Sequence, residues 1–356
     1  MDISKTINQL HLYRFRGFHD VTLDNLSQVN VLVGANNCGK TSVLEAIHLM
    51  SNPSSFGLLL RLSNLRARAS SEAKKKNRIN YLLSMFQRFF DSETDTTHYR
   101  IKLEVELSDT SRVYEADGVL SDWMDASGEE TQALDLTMSI ERPDTDHVVR
   151  RNEQIINGED QQFLAPQKNL YRSIYVHSSV NPYRASVQYL SDYIIRERKD
   201  TILEMLQRFD PTIDDISIVG EDVYLHNSTS GTLPLFAYGS GMQKAVSLTA
   251  LIASSKSGVL LIDEIDNTIH VSAFEDVFRW LLDACAAYRV QAFITTHSLE
   301  ALDAILRVSH ERFPKDDLLR IITLRKDYES QTTRCRTRTG EEAYLDRERF
   351  GLELRV

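Results

Sequence analysis

Cysteine is scarce in this chain of 356 residues. Cys38, Cys285 and Cys335 are far apart, odd in number, and form no C-x-x-C pair. That pattern excludes a disulfide scaffold and a zinc ribbon, and points to a reducing, cytoplasmic setting. Proline and glycine number only seven and 14, which excludes collagen-like or Pro/Gly-rich low-complexity structure. No stretch approaches the roughly 20 apolar residues of a membrane helix, so no membrane partner is expected. Met1 to Lys5 is polar and carries no signal-peptide core. Overall basic excess is also missing: the formal net charge is -10, so the whole chain is no electrostatic glove for nucleic acid. What remains, 42% apolar and 26% charged residues, is an ordinary globular composition. The length suits two or three domains, or one large elaborated domain.

The mean charge hides a segregation. Residues 51–90 hold eight Lys and Arg against one acid, whereas residues 91–135 hold three against thirteen acids. Such blocks mark specialised surfaces. In the basic block, Arg61, Arg66, Arg68, Lys74, Lys75, Lys76 and Arg78 can track nucleic-acid phosphates. They can equally dock an acidic protein surface, or form a solvated helical face. Phe86, Phe89 and Phe90 fall at helical spacing with Leu82 and Leu83 and are read as core.

Strands are read over 7–33, where Leu10, Leu12, Val21 and Leu23 lie in short mixed segments, and over 98–157 from period-two alternation, with hairpin turns at Ser121–Asp125 and Pro143–Asp146. Helical spacing is read over 56–90 and 186–209. Short apolar strands are read at Ser173–Val176, Val259–Ile262 and Ala292–Thr295. Strands alternating with helices imply a parallel sheet covered by helices.

The apolar run Val29 to Val33 stops at Gly34, where Gly34-Ala35-Asn36-Asn37-Cys38-Gly39-Lys40-Thr41 fits G-x-x-x-x-G-K-[ST]. Glycines allow a tight curl whose N–H groups converge on phosphate oxygens, and the next helix adds its positive end. Gly34, Asn36, Asn37, Cys38, Gly39, Lys40, Thr41 and Ser42 are therefore candidate nucleotide-binding residues. Lys40 can reach the β- and γ-phosphates, and Thr41 can ligate Mg²⁺. Cys38 is read as a small filler. A second apolar strand ends in Asp263-Glu264, where α/β proteins bind ligands. Asp263 is a candidate Mg²⁺ ligand and Glu264 a candidate base for an attacking water. Thr295-Thr296-His297-Ser298 follows the next strand; Ser298 can cap the helix after it, and His297 can hydrogen-bond a γ-phosphate.

The order of these motifs resembles the ABC-type ATPase heads of the RecF/SMC-like group. It is similar to the ATPase half of OLD-family nucleases and to ATPase subunits of bacterial anti-phage defence systems. The resemblance covers nearly the whole chain. It includes the opening Phe15-Arg16-Gly17-Phe18, which adds Arg16 to the nucleotide-binding candidates, and the closing Gly351-Leu352-Glu353-Leu354-Arg355. It implies a D-loop at Asp266-Asn267-Thr268-Ile269-His270 and a signature at Tyr238-Gly239-Ser240-Gly241-Met242-Gln243-Lys244. Gly239, Ser240, Gly241 and Gln243 would then reach the γ-phosphate of a partner subunit. The usual signature serine aligns with Gly239, and Ser240 is displaced by one. No Q-loop glutamine stands between His177 and Asn181; Asn181 or His177 can substitute, and Arg184 lies just beyond.

The resemblance implies an α/β fold, an ABC-type P-loop ATPase head with a mixed sheet, an antiparallel β-subdomain and a helical lobe. Its expected parts are core at 1–50, an inserted subdomain at 51–170, the signature lobe at 171–245 and core again at 246–356. No D-x-D follows His297, and no other nuclease pattern is read. The expected function is ATP binding and hydrolysis, with ATP and Mg²⁺, in a homodimer or larger homo-oligomer. That assembly would control a separate effector, a nuclease by analogy. The competing expectation is a RecF-like repair ATPase that binds DNA through residues 51–90.

Overall fold

The computed structural model describes residues 6–66, 71–124, 128, 130–159, 168–178, 189–191, 199–207, 210–220, 222–267, 269, 271–313, 317–327, 329–330 and 332–355. Its centre is a six-stranded sheet in the order β16-β15-β3-β14-β13-β9. These strands are β3 (Val29–Val33), β9 (Ser173–Val176), β13 (Val259–Ile262), β14 (Gln291–Thr295), β15 (Leu319–Lys326) and β16 (Thr333–Thr339). All neighbours pair in parallel except β16, which caps one edge antiparallel to β15.

Both faces of the sheet are covered at its centre, so β3, β13 and β14 are buried at every position rather than alternating. Successive side chains nevertheless enter different cores. Val29, Val31, Val33, Leu260, Ile262, Ala292 and Ile294 face one cluster. That cluster is closed by helices α5 (Lys199–Gln207), α6 (Ser240–Ser254), α7 (Phe274–Tyr288), α8 (Leu299–Arg312) and α9 (Gly340–Phe350). Leu32, Val259, Leu261 and Phe293 face the other cluster. There helix α1 (Lys40–Ser51) is sandwiched against a second, antiparallel sheet.

The antiparallel sheet has seven strands in the path β2-β1-β5-β6-β7-β8, with β4 also on β5. It takes β1 (Ile7–Phe15) and β2 (Phe18–Leu23) from the start of the chain. Strands β4 (Gln87–Asp91), β5 (Thr96–Leu107), β6 (Ser111–Met124), β7 (Glu130–Arg142) and β8 (His147–Ile156) complete it. A three-stranded sheet of β10 (Ile213–Val219), β11 (Asp222–Asn227) and β12 (Gly231–Pro234) precedes α6. Among the described residues, no helix is long and apolar enough to cross a membrane.

The segment 56–90 is helical only in part. Helices α2 (Phe56–Leu65), α3 (Ser71–Lys76) and α4 (Arg78–Leu83) give way to strand β4. Phe86 is buried as read, but Phe89 and Phe90 are 42% and 56% exposed. Pairing with β5 overrides the helical spacing, and Phe89 lies under the guanidinium groups of Arg100 and Arg14. Strand β6 continues through Ser121 to Met124, where a turn was expected, because it pairs with β7 along that whole length.

His48, on α1, packs its ring near Tyr175 and places Nδ1 3.0 Å from Ser173 Oγ. Burial, helped by the Arg61 charge, lowers its pKa from 6.5 to about 4. Between those values the unfolded chain binds the extra proton. The stability from neutral His48 is therefore complete above pH 6.5 and lost as pH falls towards 4, up to ~3 kcal/mol. Urea midpoints measured from pH 7 to pH 4.5 should fall in the native chain and fall less in His48→Asn. Equal slopes in both chains would remove His48 as the cause.

Candidate nucleotide site

The phosphate loop turns directly from β3 into α1, as the sequence predicts. Gly34 has φ +147° and Gly39 φ +106°. A Cβ on Gly34 would lie 2.3 Å from the Leu324 carbonyl oxygen, and one on Gly39 would lie 2.4 Å from the Phe18 ring. Only glycine permits either the backbone or the contact. Phe18, the last residue of Phe15-Arg16-Gly17-Phe18, thus acts as the floor beneath the loop.

A cavity of about 820 Å³ opens at this loop. It collects Arg16, Asn36, Asn37, Cys38, Gly39, Lys40, Thr41 and Ser42 with Glu264, Asp266, Asn267 and His297. These parts of the chain are more than two hundred residues apart, and parallel pairing of β3, β14 and β13 brings them to one edge. Three of the nine non-glycine residues with positive φ among the described residues are Arg16, Asn37 and Glu264, all in this cavity. Backbone strain of this kind clusters at functional sites.

Lys40 is buried, and its Nζ donates to the carbonyls of Gly34 and Ala35 at 2.8 and 3.0 Å. Burial lowers its pKa, opposed by the Cys38, Asp263 and Glu264 charges. Cys38 is buried beside it, with Sγ 3.8 Å from Nζ. The Thr41 hydroxyl donates to Asp263 at 3.1 and 3.2 Å. Ser178 and Thr295 hydroxyls also donate to that carboxylate, at 3.2 and 2.8 Å. A hydroxyl facing a carboxylate beside a phosphate loop suits Mg²⁺, which prefers one or two carboxylates plus substrate phosphates. No group of three or more His, Cys, Asp or Glu that could hold a metal ion occurs among the described residues.

Glu264 is held in its left-handed conformation by its N–H, which donates to Thr295 Oγ1 at 2.8 Å. Its carboxylate accepts from Asn267 Nδ2 at 2.7 Å and lies 3.9 Å from His297 Nε2. Burial lowers the His297 pKa, Lys40 lowers it further, and the neighbouring acids oppose both. A neutral imidazole can then act as donor or acceptor. Asp266 accepts from Thr296 at 2.6 Å, and Ser298 caps α8 by accepting from Ala301 N–H. Both the capping and the clustering of His297 with Glu264 are therefore present.

Several contributors were not legible beforehand. Arg66, one of the basic block whose readings are a nucleic-acid track, a protein dock or a solvated face, lines this cavity. It forks onto Glu45 at 2.9 Å twice and donates to Ser42 Oγ at 3.1 Å. Glu45, 0% exposed, also takes Arg16 Nε at 2.6 Å. One buried carboxylate on α1 thus aims two guanidinium groups at the loop. Burial lowers the Arg16 pKa while Glu45 raises it, and Arg16 Nη2 is buried without a hydrogen-bond partner. An orphaned donor of that kind fits an anionic ligand. Arg355 donates to the His297 carbonyl at 2.6 Å and is itself held by Glu353 at 2.8 Å.

The signature candidates lie elsewhere. Gly239 is the N-cap of α6, with Ser240, Gly241 and Gln243 in its first turn. Gln243 Nε2 donates to the Tyr238 carbonyl at 2.8 Å. Gly239, Gly241 and Gln243 do not line this cavity, so within one chain they do not join Lys40. His177 Nε2 lies 3.9 Å from Asp263. Asn181, Arg184, Arg68, Thr268 and His270 lie outside the described residues.

A family model described as AAA domain, putative AbiEii toxin, Type IV TA system matches residues 29–303. The chain is 21% identical over 346 residues to a Helicobacter pylori protein named ATP/GTP phosphatase, covering 86% of this chain and 89% of that protein. A shorter match, 52% identical over 48 residues, is to the DNA replication and repair protein RecF of Xanthomonas euvesicatoria, covering 14% of this chain and 13% of RecF. Among solved structures, an SMC head bound to the C-terminal winged-helix domain of ScpA aligns over 95% of this chain and 98% of that one. The identity is 13% and the TM-score 0.47.

Proposed function

We propose that this chain, which belongs to the AAA-domain family matched over residues 29–303 and is an ABC-type ATPase of the RecF/SMC-like group, is a nucleotide-operated clamp. It binds ATP with Mg²⁺ at the Gly34–Ser42 loop, hydrolyses it, and closes head to tail on a second copy. The observation that carries this reading is the convergence of Lys40, Thr41, Glu264 and His297 on one cavity, with Asp263 hydrogen-bonded to Thr41 at its edge, while the helix turn that Gly239 caps stands apart. A helix N-terminus with free donors can complete an anion site across an interface.

In this reading the loop N–H groups and Lys40 grip the phosphates, and Arg16 and Arg66 add charge from the side. Thr41 and Asp263 hold the metal ion, which when bound neutralises charge on the phosphate oxygens. Glu264 orients the attacking water and takes its proton. Asn267 holds that carboxylate in place, and His297 lies within reach of the same region. Gly239, Ser240, Gly241 and Gln243 contact the partner's nucleotide, and Asp266 and Asn267 belong to the loop between the two sites. The segment 171–245, apart from β9 in the central sheet, serves as the signature lobe on a core formed by 1–50 and 246–356, with 51–170 as the inserted subdomain. The closed dimer licenses a separate effector, a nuclease by analogy with related defence ATPases.

The test is the mass of Glu264→Gln protein with ATP and Mg²⁺, with and without duplex DNA. An ATP-dependent dimer indifferent to DNA is the expected result. Assembly only with DNA would replace it with the RecF-like repair reading, to which the local RecF match belongs. Bound ATP with no change of mass would end the clamp reading.

A further inference from the structure

A second cavity, of about 280 Å³, lies at the far end of helix α1 and shares no lining residue with the first. Its polar wall brings together Arg112 of β6, Arg142 of β7, His147 of β8 and Lys168. Its apolar wall is Pro53, Ile140, Val149 and Leu170. No carboxylate lines it among the described residues.

Arg112 is the anchor of this group. It lies on the inward face of β6 and is only 6% exposed. One Nη donates to Thr110 Oγ1 and to the Ser111 carbonyl. Thr110 in turn donates to Asp144 at 3.3 Å. Burial lowers the Arg112 pKa, the nearby Arg142 charge lowers it further, and Asp144 and Asp109 partly offset both. A guanidinium held out of water beside a second guanidinium is costly unless an anion joins them. Arg142, His147 and Lys168 are exposed around it, so a ligand can enter without displacing the sheet.

We propose that this cavity binds a phosphate group, free or at the end of a nucleotide, between Arg112, Arg142, His147 and Lys168. Guanidinium forks match phosphate oxygens bidentately, and lysine adds a point charge. The volume lies just below the range of drug-sized ligand pockets, about 300–1,000 Å³. It admits one phosphate with a single small moiety against the apolar wall, and excludes a duplex.

The position connects the two sites. Helix α1 carries Lys40 and Thr41 at one end, and its 12 residues span about 18 Å. At the other end Ser51 accepts from Leu170 N–H at 2.7 Å, and Asn52 donates to Asn169 at 2.6 Å. Ser54 closes onto Asn52 at 2.9 Å, and Tyr171 donates to the Ile47 carbonyl. A ligand drawn against Pro53 and Leu170 therefore bears on the helix that holds the nucleotide.

The experiment uses the full chain carrying Lys40→Ala, which disables the first site, and calorimetric titration with three probes. These are inorganic phosphate, a 5′-phosphorylated thymidine dinucleotide and its 5′-hydroxyl counterpart. The phosphorylated probes should bind, and adding Arg142→Gln and Lys168→Gln should weaken them at least about tenfold. Both residues are exposed, so the fold is spared. Where Lys40→Ala fails to fold, the native chain saturated with ADP gives the same comparison. Equal affinity for phosphate and dinucleotide identifies free phosphate as the ligand; tighter dinucleotide binding identifies a nucleotide end. Equal binding of the hydroxyl probe, absence of binding, or affinity unmoved by the double substitution would overturn the proposal.

Discussion

Replacing Glu264 with Gln should lower ATP turnover by about 10²–10⁴-fold while leaving ATP affinity within about threefold, the range expected for losing a positioned general base. Gln keeps the size of the side chain and a carbonyl oxygen for Asn267, which now donates to Oε2 at 2.7 Å. The left-handed backbone at Glu264 is held by Thr295 Oγ1 and does not depend on the carboxylate. What is removed is the acceptor for a water proton. Nucleotide binding rests on other groups, Lys40 and the loop N–H donors, so affinity and turnover should separate. Steady-state phosphate release and equilibrium binding of labelled ATP measure the two. Turnover reduced less than about tenfold would place the base elsewhere, and His297, 3.9 Å from the same carboxylate, would be the next residue to change.

Removing Glu45 should cost about 3–5 kcal/mol of stability, the cost of breaking a buried ion pair by deleting one partner. In Glu45→Ala, the buried Arg16 and half-exposed Arg66 face each other without the carboxylate that both now share. Arg16 suffers more, because it already carries a buried donor without a partner. Glu45→Gln, which keeps the shape and one acceptor, should cost less. Chemical denaturation of the two variants beside the native chain checks both statements. Saturating ATP should recover part of the loss in Glu45→Ala, because bound phosphates would supply the missing negative charge and stabilise by mass action. Equal midpoints for Glu45→Ala and the native chain would mean that water screens the two arginines.

The phosphate loop, the strand before it and the helix after it were legible because a few consecutive residues encode them. Gly34 and Gly39 permit backbone angles that other residues avoid, and Lys40 opens a helix. The acidic strand end at Asp263 and Glu264 was legible for the same reason. Ser298 as a helix cap is also local, since the acceptor and the donor at Ala301 are three residues apart. The antiparallel sheet showed itself as period-two alternation over 98–157.

What the local pattern missed shares a cause. Leu82, Phe86 and Phe90 keep helical spacing, but Gln87–Asp91 finds the open edge of β5 and becomes a strand. Arg66 belongs by composition to a basic block, and only folding places it beside Glu45, 21 residues earlier. Arg355 reaches the His297 carbonyl across 58 residues. The second cavity draws on residues from Pro53 to Leu170. Sequence alone determined the chemistry of the loop, the carboxylates and the apolar strands, because backbone angles and side-chain type are properties of a few neighbouring residues. Tertiary structure alone decided which charges meet, because an ion pair or a cavity depends on partners that strand pairing brings from distant parts of the chain.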